Sequence, residues 1–353
     1  MRIVIFGLTV SSSWGNGHAT IWRGLCRALG RNGHEVVFFE KDVPYYSSHR
    51  DLTNPPEYKL RLYQGWSDVE KASERALEES DCAIVTSYCP DARVAADIVL
   101  DSATFKIFYD LDTPVTLNRL KREGEVEYIP TYGLSPFDLV LSYTGGKALQ
   151  ELKRQLGAHR VAPLYGSVDP NVHSRVPAEF RFHSDFSYLG TYAEDRQSQL
   201  HELFLNPAKR LSDKKFCIAG AQYPSDFPWS SNIFFVRHLP PPEHPAFYSS
   251  SRLTLNITRQ AMAAMGFCPS GRLFEAAACG TPIVSDYWEG LESFFTPGKE
   301  ILIARSAQDA IAAIRLEEDE LRRVALASQE RALTEHSADR RAAELIALIE
   351  ASA

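Results

Sequence analysis

The chain has 353 residues, 44% of them apolar and 24% charged, with a formal net charge of -7. That length exceeds one ordinary core and suits two domains of about 150 residues each, and the composition excludes long disorder. An acidic chain repels a polyphosphate backbone, so no nucleic-acid partner is expected.

The opening MRIVIFG reads as a first strand and not as a signal peptide, because its apolar run is short and no cleavage site follows. Strand Ile3 to Phe6 leads through a Gly-bearing stretch to a helix with Ile21, Trp22, Leu25, Cys26 and Leu29 at helical spacing. Asn32-Gly33 makes a turn into strand Val36 to Phe39. Ser67-x-x-Glu70 reads as a capping box opening a helix toward Glu79. Strands follow at Ala83 to Thr86, Phe105 to Tyr109 and Leu139 to Ser142, then a helix from Lys147 to Leu156. Pro163 to Pro177 is a polar, Pro- and Gly-bearing linker. The pattern then restarts, with strands at Phe186 to Leu189, Phe216 to Ala219, Phe234 to Val236, Leu253 to Ile257, Ile283 to Val284 and Ile301 to Ile303. An amphipathic helix, Asp339 to Ile349, closes the chain. Short, wholly apolar strands alternating with helices predict parallel sheets covered on both faces.

Cys26, Cys82, Cys89, Cys217, Cys268 and Cys279 form no Cys-x-x-Cys pair and sit mostly in apolar runs, so buried free thiols are expected. No run reaches the roughly 20 apolar residues a membrane span needs. The expected location is cytoplasmic, with contact at a membrane surface left open.

The most informative stretch is LTLNITRQAMAAMGFCPSGRLFEAAACGTPIVSDYWEGL, residues 253–291. A helix opens at Pro269-Ser270-Gly271 and ends near Cys279, where Gly280 terminates it. Ser270 is placed to cap it. The amides near Gly271 and Arg272 face an anion site favoured by the helix dipole, and Arg272 adds a fork suited to phosphate oxygens. Glu275, one turn on, shares that face and suits a vicinal diol such as a ribose. A plain capped helix with a surface Arg–Glu pair is the competing reading.

PSGRLFEAAACGTPIVSD resembles the donor-site helix of GT-B glycosyltransferases. The flanking Leu255-Asn256-Ile257-Thr258-Arg259 and Trp288-Glu289-Gly290-Leu291 resemble the spore-maturation-protein-like (CgeB-type) family of group 1 glycosyltransferases. The resemblance is specific over about residues 185–305. It implies ribose at Glu275 and pyrophosphate at Ser270, Gly271 and Arg272. Gly190 and Thr191, after Tyr188-Leu189, would approach the phosphates, with Arg196 pairing them. The segment at His238 and Leu239 resembles the one that reads the base, His238 itself being structural. Many retaining relatives carry a second Glu eight positions before the ribose Glu. Here that position is Phe267, which leaves sugar recognition and stereochemistry open.

In the amino-terminal half, Gly15-Asn16-Gly17-His18 follows the first strand but lacks a full dinucleotide fingerprint. His18 is the candidate general base toward an acceptor hydroxyl, as in similar inverting GT-B enzymes. Asp112, in Asp110-Leu111-Asp112, is the candidate that orients it, since alternation would point both carboxylates one way with Asp112 nearer the tip. Asp-x-Asp is also the metal motif of GT-A enzymes, ranked second here. Gly17, Gly145, Gly146 and Arg259 are candidates on the sugar or acceptor side. Tyr45, Tyr46 and Trp66 are an aromatic acceptor platform by composition alone.

The expectation is therefore two Rossmann-like α/β domains facing across a cleft, 1–162 on the acceptor side and 163–335 binding the donor, with a C-terminal helix (336–353) packing back on the first. The expected activity is metal-independent hexosyltransferase-like transfer from a nucleotide-diphosphate sugar, UDP-linked by preference, to an unspecified glycan, lipid or small-molecule hydroxyl. No further cofactor is expected. An epimerase and a non-catalytic nucleotide-sugar-binding protein are the alternatives.

Overall fold

A computed structural model of the chain describes residues 1–15 and 17–352. It divides into two compact units, Met1–Ser167 joined by the stretch from Ala338 onward, and Val168–Ser337.

The first unit is built on seven strands: β1 Arg2–Gly7, β2 Glu35–Lys41, β3 Lys59–Tyr63, β4 Cys82–Thr86, β5 Phe105–Asp110, β6 Leu139–Ser142 and β7 Val161–Pro163. They pair in parallel in the order β3-β2-β1-β4-β5-β6-β7. Ile3, Val4, Ile5 and Phe6 of β1 are at most 2% exposed. Helices on both faces supply that cover, as the apolar runs predict. Helix α1 (Gly17–Arg31) follows β1, α2 (Glu70–Glu78) follows β3, α3 (Ala92–Asp101) follows β4, α4 (Thr113–Glu123) follows β5 and α5 (Lys147–Leu156) follows β6.

The second unit repeats the scheme with β8 Phe186–Leu189, β9 Phe216–Gly220, β10 Ile233–Arg237, β11 Thr254–Asn256, β12 Ile283–Ser285 and β13 Leu302–Ile303. Their order is β10-β9-β8-β11-β12-β13, again all parallel. Here α6 (His244–Ser249) precedes β11, α7 (Gly271–Ala278) lies between β11 and β12, and α8 (Glu318–Glu335) closes the unit. The final helix, α9 (Ala338–Glu350), belongs to the first unit and runs beside α1, with Arg31 donating to Asp339 at 3.1 Å. Both domains are Rossmann-like, as the alternation of elements predicts.

Strand order reverses between β1 and β4 in the first sheet and between β8 and β11 in the second. In such sheets ligands sit beyond the carboxyl ends of the strands flanking that switch. Those ends lead into the loops holding His18, and into the loops holding Gly190, Arg259 and Ser270.

Three local expectations are corrected. Strands β3 and β7 were not anticipated. The Ser67-x-x-Glu70 box is not the one used: Asp68 accepts the amide of Gly65 at 2.9 Å, and the longer helix opens from Val69 without a side-chain cap. Trp66 forms no open platform, since its ring packs against Phe6 and Tyr63 at 6.0 and 6.1 Å between centroids. All six cysteines are free and buried.

Candidate functional site

In the second domain, α7 starts where the sequence places it. The first intrahelical bond runs from the Leu273 amide to the Ser270 carbonyl at 3.0 Å, so the helix leaves the Gly271 and Arg272 amides unpaired along its axis. Ser270 does not cap it. Its hydroxyl accepts Arg272 Nε at 3.0 Å, a charged donor that outcompetes a neutral amide. At the far end Gly280 sits at φ +69, where its amide meets the Ala277 carbonyl at 2.8 Å.

The remaining nitrogens of the Arg272 fork bind backbone. Nη1 donates to the Leu189 carbonyl and Nη2 to the Ile257 carbonyl, each at 2.9 Å. Arg272 therefore ties the ends of β8 and β11 together across the switch point, a role the sequence reading does not contain. It is not half of a surface pair with Glu275. A β-carbon on Gly190 would lie 2.7 Å from the Tyr188 hydroxyl and 3.1 Å from Arg272 Nη1, so only glycine lets the guanidinium pass.

Two further guanidiniums gather here. Arg196 donates to the Thr191 carbonyl at 2.6 Å, and Arg259 pairs with Asp195 at 3.0 Å. Arg196 Nε is buried with no hydrogen-bond partner among the described residues. Burial, together with the nearby Arg272 and Arg259, pushes Arg196 below the usual guanidinium range. Like charges held together around an unpaired donor call for an anion. Arg259, a candidate on the sugar or acceptor side, lies near enough to Arg196 for its charge to act on it. His238 sits at φ +51, its amide bonded to the Gly220 carbonyl at 2.7 Å, and Leu239 is buried beside it.

Glu275 faces two histidines that the sequence reading did not single out. His173 Nε2 lies 3.9 Å and His244 Nδ1 3.8 Å from Glu275 Oε2. Burial alone would raise the Glu275 carboxyl, but the two imidazoles and Arg272 outweigh it and hold it at about 2. His173 is 2% exposed, and burial lowers its pKa from the usual imidazole range.

The position eight before Glu275 is occupied as the sequence states. Phe267 adopts φ +46, its amide donates to the Glu289 carbonyl at 2.7 Å, and its ring fills the space beside Gly290.

In the first domain, His18 stands in the first turn of α1, and its Nε2 lies 3.3 Å from Asp112 Oδ2. The Tyr88 ring packs beside the imidazole at 5.4 Å, from a backbone at φ +64. Asp110 and Asp112 are not equivalent, because β5 ends at Asp110 and Asp112 is the residue just before α4. Asp110 turns inward and accepts the Asp112 amide at 3.1 Å and the Thr116 hydroxyl at 3.0 Å. Burial pushes its carboxyl up to about 6. The two carboxylates therefore do not present the paired face that a metal-binding Asp-x-Asp requires. The loop ahead of His18 hangs on Glu40, 1% exposed, whose carboxylate accepts from the Thr9 and Ser11 hydroxyls and the Val10 and Ser11 amides. Of the Gly-Asn-Gly-His stretch, Asn16 lies outside the described residues. Gly17 has open space around it, and Gly145 and Gly146 lead into α5, with Gly146 at φ +56.

Residues 196–347 match the family described as glycosyl transferase-like. No curated protein matches the chain. Among solved structures, sucrose-phosphate synthase from Thermosynechococcus elongatus matches with 14% identity and a TM-score of 0.70, covering 99% of this chain and 98% of that one. Anabaena HepE in complex with UDP-glucose matches at 12% identity and TM-score 0.67, covering 99% and 100%. An α-glucosyltransferase in complex with UDP-glucose and DNA matches at 13% and 0.69, covering 99% of each chain. The fold is that of the GT-B glycosyltransferases, and the matched segment is a glycosyltransferase-like domain.

Proposed function

We propose that the protein transfers a sugar, hexosyl by preference, from a nucleotide-diphosphate sugar to a hydroxyl acceptor. The observation that carries this reading is the convergence of Arg196, Arg259 and Arg272 at the amino end of α7, with the ionised Glu275 one turn below. The cations and helix amides suit a diphosphate, and the carboxylate suits a ribose diol. A UDP-sugar is favoured as donor because HepE and the α-glucosyltransferase are described in complex with UDP-glucose. The finer kinship with CgeB-type enzymes rests on the wording of residues 253–291.

In this reading the bond between the anomeric carbon and the diphosphate breaks, and negative charge grows on the departing β-phosphate. The guanidiniums and amides stabilise that charge without a cation bridging the diphosphate. The acceptor oxygen bonds to the anomeric carbon, and its proton passes to His18, which Asp112 orients and stabilises once charged.

The test is a thermal-shift panel of UDP-, GDP-, ADP- and dTDP-linked sugars, with Glu275→Ala as control. A ligand at 100 times its Kd adds about 2.7 kcal/mol to stability. A shift with a UDP-sugar that vanishes in the variant is expected, followed by product formation with an acceptor. No shift with any donor would sink the proposal.

A further inference from the structure

We propose that His173, His244 and Glu275 form a binding site for a divalent transition-metal ion of the zinc class. Two imidazoles and one carboxylate are a donor set that zinc takes with an open fourth position. The three come from separate segments: a turn fixed by the bond from the His173 amide to the Asp169 carbonyl at 2.9 Å, the first residue of α6, and the middle of α7. One ligand atom from each lies within 4.8 Å of the others. With sides of 3.9 and 3.8 Å and a third of no more than 4.8 Å, a point equidistant from the three lies at most about 2.5 Å from each. Zinc bonds need ~2.0–2.2 Å, so inward movements of at most about 0.4 Å complete the site.

An independent observation points the same way. Both ring nitrogens of His173 are buried without a hydrogen-bond partner among the described residues, and Nε2 is the one turned toward Glu275. An unpaired buried nitrogen is costly, and a metal bond would satisfy it.

The site is compatible with the donor role of Glu275. Oε2 faces the imidazoles, whereas a β-carbon on Gly271 would lie 3.7 Å from Oε1. An ion on Oε2 fixes the carboxylate and leaves Oε1 toward the amino end of α7. Only this last step rests on the nucleotide-sugar reading.

The experiment strips the purified full chain with a chelator and titrates it with Co2+, following visible d–d absorption, with UDP binding measured in parallel. One-to-one bands of a low-coordinate cobalt, displaced by Zn2+, are expected. In His244→Ala and Glu275→Gln the metal should bind at least ~10-fold more weakly, the scale seen even for outer-shell changes. His244 is partly exposed, so its variant tests the site if burial makes His173→Gln unfold. Absent bands, or bands unchanged in His244→Ala, would overturn the proposal. Cobalt bands without UDP binding would uphold the metal site and overturn the donor reading. UDP binding without cobalt bands would do the reverse.

Discussion

Arg272→Lys separates the two roles that Arg272 has in the structure. The arginine makes three charge-assisted bonds, to Ser270 Oγ at 3.0 Å and to the Leu189 and Ile257 carbonyls at 2.9 Å. A lysine keeps the charge, but a single ammonium cannot span the ends of β8 and β11 as the planar fork does. At roughly 1.5–3 kcal/mol net for each bond to a charged group, losing two of the three costs about 3–6 kcal/mol. For a domain of this size that lowers Tm by about 6–24 °C. Differential scanning calorimetry reads the stability, and calorimetric titration with UDP reads the anion site. The expected result is a large fall in Tm together with weaker UDP binding. A Tm within about 2 °C of wild type, even with UDP binding lost, would refute the tie between the strands and leave Arg272 as a ligand contact only.

His18→Ala should lower kcat by about 10²–10⁴-fold with little change in the donor KM, and Asp112→Asn should do the same more mildly; an unchanged kcat in steady-state assays would remove His18 from the mechanism. Glu275, held at about 2 against an ordinary 4.5, contributes stability that is fully present above pH 4.5 and lost as pH falls toward 2. Urea melts of wild type and Glu275→Gln should therefore differ by up to about 3 kcal/mol above pH 4.5 and converge below it. His173, lowered by burial, adds a separate loss as pH falls below 6.5, visible in both proteins. Glu40→Ala should cost about 3–5 kcal/mol in urea melts, because two buried amides and two hydroxyls lose their acceptor. Glu40→Gln should cost under about 1.5 kcal/mol, since its amide can donate to the rotatable Thr9 and Ser11 hydroxyls while its oxygen serves the amides.

The strands legible in the sequence are those buried on both faces. Ile3–Phe6 is an unbroken apolar run, and Phe186–Leu189 is interrupted only by the buried Ser187, because both strands are buried within their sheets. Strand β3 escaped because it lies at the sheet edge, with Lys59, Arg61 and Leu62 exposed, so its KLRLY pattern carries charge where a central strand would be apolar. Strand β7, at the opposite edge, is three half-buried residues ending in proline.

The site divides along a similar line. Gly271, Arg272 and Glu275 lie within one turn of each other on one helix, so helical geometry alone brings them to a common face. What Arg272 binds was not legible, because the Leu189 and Ile257 carbonyls reach it only through the pairing of β8 with β11. Ser270 has the residue type of a cap but spends its hydroxyl on a charged neighbour two residues away. His173 and His244 had no local signal, one in a linker turn and the other behind a run of prolines. Their meaning appears only when the tertiary fold sets both against one carboxylate oxygen. A metal site whose ligands sit on one helix leaves a spacing in the sequence. One assembled from a linker, a helix start and a helix interior leaves none, and its trace is physical instead: a buried imidazole whose two nitrogens have no hydrogen-bond partner among the described residues.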